Sequence, residues 1–179
     1  RRDSADDWFV YTLPTAGNIL NLNNTNAQTS SSHFRTITSS TFQLSGNSDV
    51  NHNTGTYVAY CFAPVAGYST MGYYTGDGSD DGPFINTGFK PAWVMTKSMS
   101  AGGDWLLWDS TREPFNYNAN TLPANNSDQE SDTSGYKIDF VSNGIKFRMY
   151  GSSSNASGVT YTYLIFAENP FKLNGGIAV

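Results

Sequence analysis

The feature that most limits what this chain can fold into is an imperfect internal repeat. Asp7-Trp8-Phe9-Val10-Tyr11 matches Asp104-Trp105-Leu106-Leu107-Trp108, Phe42-Gln43-Leu44 matches Ile145-Lys146-Phe147, and Asn51 through Ala63 matches Asn155 through Ala167. The three matches keep their order, and they outline a unit of about a hundred residues, an ordinary domain size. The 179 residues therefore divide into a first β repeat, residues 1–66, and a second, complete one, residues 67–179. Trp105 is preceded by Gly72-Tyr73-Tyr74-Thr75-Gly76 and by Gly88 through Lys97, whereas Trp8 has only seven residues before it. The first copy is thus expected to be truncated at its N-terminus, with its upstream strands lying in a longer protein.

Each copy reads as β structure. No window sustains the i, i+3, i+4, i+7 apolar pattern of a helix, and short β-branched and aromatic runs recur between Gly, Asn, Ser and Pro clusters. The fold expected is all-β, an antiparallel β-sandwich-like tandem duplication with little or no helix. Strands are expected at Trp8–Leu13, His33–Ile37, Phe42–Leu44, Thr56–Ala63, Met71–Tyr74, Trp93–Lys97, Trp105–Asp109, Tyr136–Val141, Ile145–Tyr150 and Thr160–Ala167. Thr160–Ala167 and Thr56–Ala63 are apolar on both period-2 faces at their C-terminal ends, the pattern of strands covered on both sides. They are the expected core. Ser142-Asn143-Gly144 predicts a hairpin, with Asn-Gly in a type I′ turn.

Composition narrows the function. Aromatic residues make up 15% of the chain, more than a solvated linker carries, so a packed core is required. A net charge of −5 leaves no basic footprint for phosphates, and nucleic acid is not an expected partner. No apolar run approaches the ~18–20 residues that span a bilayer, so no membrane insertion is expected. The single cysteine, Cys61, excludes an internal disulfide framework and a multi-cysteine zinc site. Abundant Ser, Thr, Asn and Gly suit turn-rich β proteins with outward-facing surfaces.

Several clusters carry candidate chemistry. Asp77-Gly-Ser79-Asp-Asp81-Gly82 spaces oxygens as the opening of a calcium loop does, but position twelve is Gly88 rather than Glu and no helices flank it. An acidic surface turn is the stronger reading, and no metal or other cofactor is expected. The two histidines, His33 and His52, have no evident carboxylate partner and no Gly-x-Ser-x-Gly elbow accompanies them. Glycan hydrolysis needs two carboxylates about 5–9 Å apart. Asp104, Asp109 and Glu113, around Trp105 and Trp108, are the place to seek them. Because Asp7 and Asp104 both precede a repeat tryptophan, a structural task at a strand start is the better expectation. Tyr73, Tyr74, Phe115 and Tyr117 lie among small polar residues and are the candidate ligand-binding rings for stacking on sugars. Sequons at Asn23, Asn125 and Asn155 decide nothing in a chain so rich in those letters.

The strings Tyr57 through Ser69, Asp81-Gly-Pro-Phe84, Thr87-Gly-Phe-Lys-Pro-Ala-Trp-Val94, Ser142-Asn-Gly144 and Phe166-Ala-Glu-Asn-Pro-Phe-Lys172 resemble a family of duplicated β-rich domains. These lie near the C-terminus of tail fibres and other tail-associated proteins of tailed bacteriophages, notably marine ones. The resemblance covers essentially the whole chain, and Arg1 through Trp8 is similar to the latter half of the family's VKRRDSxxDW segment. The Arg that usually follows the family's Lys is replaced here by Ser98, after Lys97. The resemblance implies a non-catalytic virion structural or host-recognition module in the extracellular, distal part of a phage tail. Its implied partners are other virion tail proteins, a bacterial surface glycan or protein, and further copies of itself in a homo-oligomer, with a trimer favoured. Two alternatives stand beside it: a tailspike-like glycan-degrading enzyme, and a purely structural module between virion subunits.

Overall fold

A computed structural model describes residues 1–12, 17–132 and 135–170. Fourteen strands and one helical turn order as β1 (Phe9–Val10), β2 (Asn18–Asn21), β3 (Thr29–Ser30), β4 (Phe34–Ile37), β5 (Phe42–Leu44), α1 (Ser48–Asn51), β6 (Ser69–Thr75), β7 (Phe84–Asn86), β8 (Pro91–Ser98), β9 (Leu106–Asp109), β10 (Asn120–Pro123), β11 (Ser131–Asp132), β12 (Ile138–Val141), β13 (Gly144–Phe147) and β14 (Thr160–Ala167) among the described residues. The fold is all-β, and every strand pairing is antiparallel.

The main core lies between a six-stranded sheet, ordered β11-β10-β9-β8-β14-β6, and a three-stranded sheet, β12-β13-β7. Strand β14 is central because both its edges are paired: Tyr161 faces Tyr74 of β6 and Ser98 of β8. Period-2 alternation then directs Tyr161 and Ile165 inward with Val94 of β8 and Leu106 and Trp108 of β9. From the opposite sheet come Ile85, Ile138, Phe140, Ile145 and Phe147. Each such side chain contributes about 1.5–3 kcal/mol on burial. The Trp108 indole N–H donates to Tyr136 O at 2.9 Å, which pairs its polar atom inside the core.

Residues 56–63 differ from expectation. They form no strand and lie largely exposed, so the core is built on Thr160–Ala167 without them. Binary pattern alone cannot provide a strand with neighbours to pair to. The hairpin at Ser142-Asn143 is where it was expected, with Val141 opposite Gly144, but neither Asn143 nor Gly144 has positive φ, so the turn is not type I′. Gly144 is required for room instead: a Cβ there would come within 2.1 Å of Ile85 O on the adjacent β7. The strand expected at Trp8–Leu13 is limited to β1, and its last residue lies outside the described residues.

Two parts of the chain make matching hydrogen bonds. In β1-β2-β3, Phe9 pairs with Asn21 and Ile19 with Thr29; in β9-β10-β11, Leu106 pairs with Pro123 and Thr121 with Ser131. Trp8 N–H donates to Asn23 Oδ1 at 3.0 Å and Trp105 N–H to Asn125 Oδ1 at 2.8 Å. Asn23 Nδ2 reaches Asp7 and Asn125 Nδ2 reaches Asp104, each at 2.8 Å. The tyrosine hydroxyls match too: Tyr57 donates to Ser48 O and Tyr161 to Ser152 O, both at 3.0 Å.

The two parts are joined where β8 and β9 meet the loop after β2. The Trp105 indole N–H donates to Asn21 O at 2.9 Å, and its ring packs with Leu20 and Met99. Lys97 is fully buried, and its Nζ donates to the carbonyls of Thr25, Asn26 and Ser98 at 3.3, 2.9 and 3.0 Å. Burial lowers the Lys97 pKa to about 8, against a smaller opposing pull from Asp104.

Candidate functional site

The loop between β9 and β10 is fastened by Asp109 at the end of β9 and by its own Arg112, Glu113, Asn116 and Asn118. Asp109 Oδ1 accepts from the N–H groups of Thr111 and Arg112 at 3.0 and 2.8 Å, and its other oxygen binds the Arg112 guanidinium, which also reaches Glu130. Glu113 Oε2 accepts from the backbone N–H of Ala119 and Asn120 at 2.6 and 2.8 Å. Buried Asn118 donates through Nδ2 to Asp109 O and Glu113 O, and Asn116 exchanges hydrogen bonds with the backbone of Phe140. A loop so satisfied has few alternative conformations, and it holds Phe115 and Tyr117 outward, 81% and 51% exposed. Lys137 Nζ sits 4.2 Å from the Tyr117 ring centroid, a cation–π geometry. The pinned loop thus presents two exposed rings, Phe115 and Tyr117, the second paired with Lys137 from the segment before β12.

The four rings singled out in the sequence do not converge. Tyr73 is exposed on β6, the edge strand, and the three strand spacings between β6 and β9 amount to about 14 Å. Tyr74 corrects the expectation, because its neighbour in sequence points to the other face. It is buried between Phe147 and Tyr161, with ring centroids 4.7 and 5.0 Å away, and its hydroxyl donates to Ser154 O. Burial, and then the nearby Tyr161, push its pKa well above the ordinary tyrosine value. No face of Tyr74 is left for a ligand.

The carboxylates are committed to structure. Burial alone would raise the Asp109 pKa, but the guanidinium and N–H of Arg112 and the N–H of Thr111 outweigh it, and the net shift is downward. A glycosidase acid needs the opposite shift. Asp104 accepts from the Asn125 side chain, and Asp7 from those of Asn21 and Asn23, a structural task at each strand start. In the acidic turn, Asp77 Oδ1 accepts from Ser79 N–H at 2.8 Å and Ser79 Oγ from Asp81 N–H at 3.1 Å. Asp81 is ion-paired to Lys146 and Arg148 at 3.0 and 3.2 Å, and its hydrogen bond with Lys146 is the main cause of its lowered pKa. Among the described residues, no three His, Cys, Asp or Glu side chains cluster as metal ligands.

One pairing escaped the sequence. His33 lies between Ser31, whose hydroxyl meets Nδ1, and Asp49, 3.4 Å from Nε2. Ser31 Oγ also accepts the His33 backbone N–H at 3.0 Å, and the imidazole packs 4.4 Å from the Phe9 ring. The cluster closes the turn between β3 and β4 onto α1. Asp49 lies far along the chain from His33, so only the fold could reveal it. Lys137 and the Arg112–Glu130 pair were likewise invisible as site members, being single charges in ordinary sequence.

Antiparallel sheets packed as two layers, with exposed rings on one loop, make this chain an all-β domain. Residues 1–170 match the family described as "Domain of unknown function (DUF7483)", and the chain belongs to that family. No curated protein and no solved structure matches it.

Proposed function

We propose that this chain is a non-catalytic virion structural and host-recognition module in the distal part of a phage tail fibre or related appendage. The carrying observation is the exposure of Phe115 and Tyr117, the latter with Lys137 over its ring, on a loop fixed by Asp109, Glu113, Asn116 and Asn118. Sugar rings present C–H faces that stack on aromatics, and a fixed loop binds without the entropic cost of ordering. A bacterial surface glycan is the ligand class these groups suit. The likeness of the chain to tail-associated phage domains supports the same reading and supplies the setting: other tail proteins as neighbours, and several copies of the chain around an axis.

The rival reading, a glycan-degrading enzyme, would draw on Asp104, Asp109 and Glu113, whose oxygens already serve Asn125, Arg112 and backbone N–H groups. Adsorption of the labelled protein to cells of the host bacterium tests the proposal. Saturable binding is expected, weakened at least ~10-fold when Phe115 and Tyr117 are both replaced by Ala, since two stacking rings contribute more than about 1.4 kcal/mol together. Release of reducing ends from host polysaccharide, lost in Asp109→Asn, would establish the enzyme instead. Absence of any cell binding would favour a purely structural role between virion subunits.

A further inference from the structure

The apolar segment 56–63 lies at the surface, paired in no sheet among the described residues. Val58, Tyr60 and Phe62 are 42%, 70% and 55% exposed, and Ala59, Cys61 and Ala63 on the alternate positions are exposed as well. Among the described residues, no backbone N–H or C=O of residues 58–62 makes a hydrogen bond. The only ring contacts here are Trp8 with Tyr60 and Phe62 with Phe166, at 6.3 and 6.0 Å, among the described residues. Apolar exposure on both faces, combined with an unpaired backbone, marks a strand that lacks its neighbours.

The matching hydrogen bonds identify those neighbours. Thr160–Ala167, the segment that shares its sequence pattern, lies between β6 and β8. Strand β8 runs antiparallel to it with Ser98 opposite Tyr161, and the next residue, Met99, donates its N–H to Thr160 O at 2.8 Å. Arg2 N–H donates to Thr56 O at the same 2.8 Å. Taken in that register, Arg1 stands opposite Tyr57, and polypeptide entering at Arg1 would run antiparallel along 58–63. The hydrogen bond that closes the β8–β14 ladder is therefore already made at 56, with the rest of the ladder open.

We propose that residues 56–63 are the central strand of a sheet whose flanking strands come from the polypeptide preceding Arg1 in the natural chain. The nearer strand is the counterpart of β8 and the farther one the counterpart of β6, joined by a connection like residues 76–90. Backbone ladders on both edges would satisfy the open N–H and C=O groups, and the covering side chains would bury Cys61 as Ile165 is buried in β14 and half-cover Tyr60 and Phe62 as Leu164 and Phe166 are half-covered there.

Cys61, the counterpart of fully buried Ile165, is the probe. Maleimide labelling at Cys61 and hydrogen exchange of residues 58–63 would be followed in the full-length natural protein and in the chain that begins at Arg1. In the shorter chain both are fast; in the natural protein both are expected to slow by roughly 100-fold or more, as for a central strand. Labelling at equal rates in the two would overturn the proposal, as would a natural chain that begins at Arg1. Concentration-dependent protection in the shorter chain, with a dimer seen by sedimentation, would overturn it in favour of a second copy as the occupant. Tyr60→Asp adds an independent reading: it should lower the melting temperature of the natural protein while leaving the shorter chain nearly unchanged, and an equal effect in both would count against the inference.

Discussion

Trp8 and Trp105 follow the same aspartate, are held by the same asparagine clasp and precede strands paired in the same register, yet one is 48% exposed and the other 2%. The clasp is local and forms in both places. Burial is not: Trp105 is covered because Leu20 and the Asn21 carbonyl of the other half of the molecule stand against it, whereas the Trp8 ring stacks on exposed Tyr60 at 6.3 Å. Sequence similarity thus transmits the hydrogen bonds within a unit faithfully, while the packing depends on what each unit finds beside it.

The largest test of this contrast is truncation of the two rings. Trp105→Ala should cost about 3–5 kcal/mol in chemical denaturation, the range for a large aromatic removed from a core, and Trp8→Ala under about 1 kcal/mol. Equal losses would break the comparison. Next comes Lys97, buried at the same junction. Its folded pKa of about 8 lies below the ordinary 10.5, so the unfolded chain binds more protons between those values and stability should rise as pH increases through that window. The full swing is at most about 3 kcal/mol, and Lys97→Met should flatten the slope in pH-dependent unfolding. The smallest effect separates the clasps themselves. Asn125→Ala leaves the Trp105 N–H without its acceptor and should cost about 1–2 kcal/mol, while Asn23→Ala, at the more exposed clasp, should cost about half as much by thermal melts.

The class of the fold was legible because aromatic and β-branched runs punctuated by Gly and Asn admit little else, and Thr160–Ala167 was recognisable as a core strand by its two apolar faces. Strands β2 and β10 were not. Asn18–Asn21 and Asn120–Pro123 begin with a residue disfavoured in strands, and the latter ends in Pro at position 123; they hold as strands through their partners' ladders rather than their own propensity. Residues 56–63 misled for the complementary reason, since their pattern is that of a strand and pairing needs a neighbour that the pattern does not provide. At the candidate site, Phe115 and Tyr117 stood out as rings among polar residues, but Tyr74 could not be separated from Tyr73 without knowing which face of β6 meets Phe147. Lys137 reaches Tyr117 only through the pairing of β12 with its neighbours, a relation with no trace in local sequence.

Asn155 carries a consequence for anyone producing this protein in a secreting eukaryotic cell. Its side chain is fully enclosed, with Nδ2 donating to Ser79 O at 2.8 Å and to Asp77 at 3.2 Å. An oligosaccharide attached there during translation would occupy the space that Gly82 leaves for the amide, where even a Cβ would approach to 2.5 Å. Glycosylated molecules would be unable to close the acidic turn, and material recovered from such a host would be enriched in chains that escaped the modification.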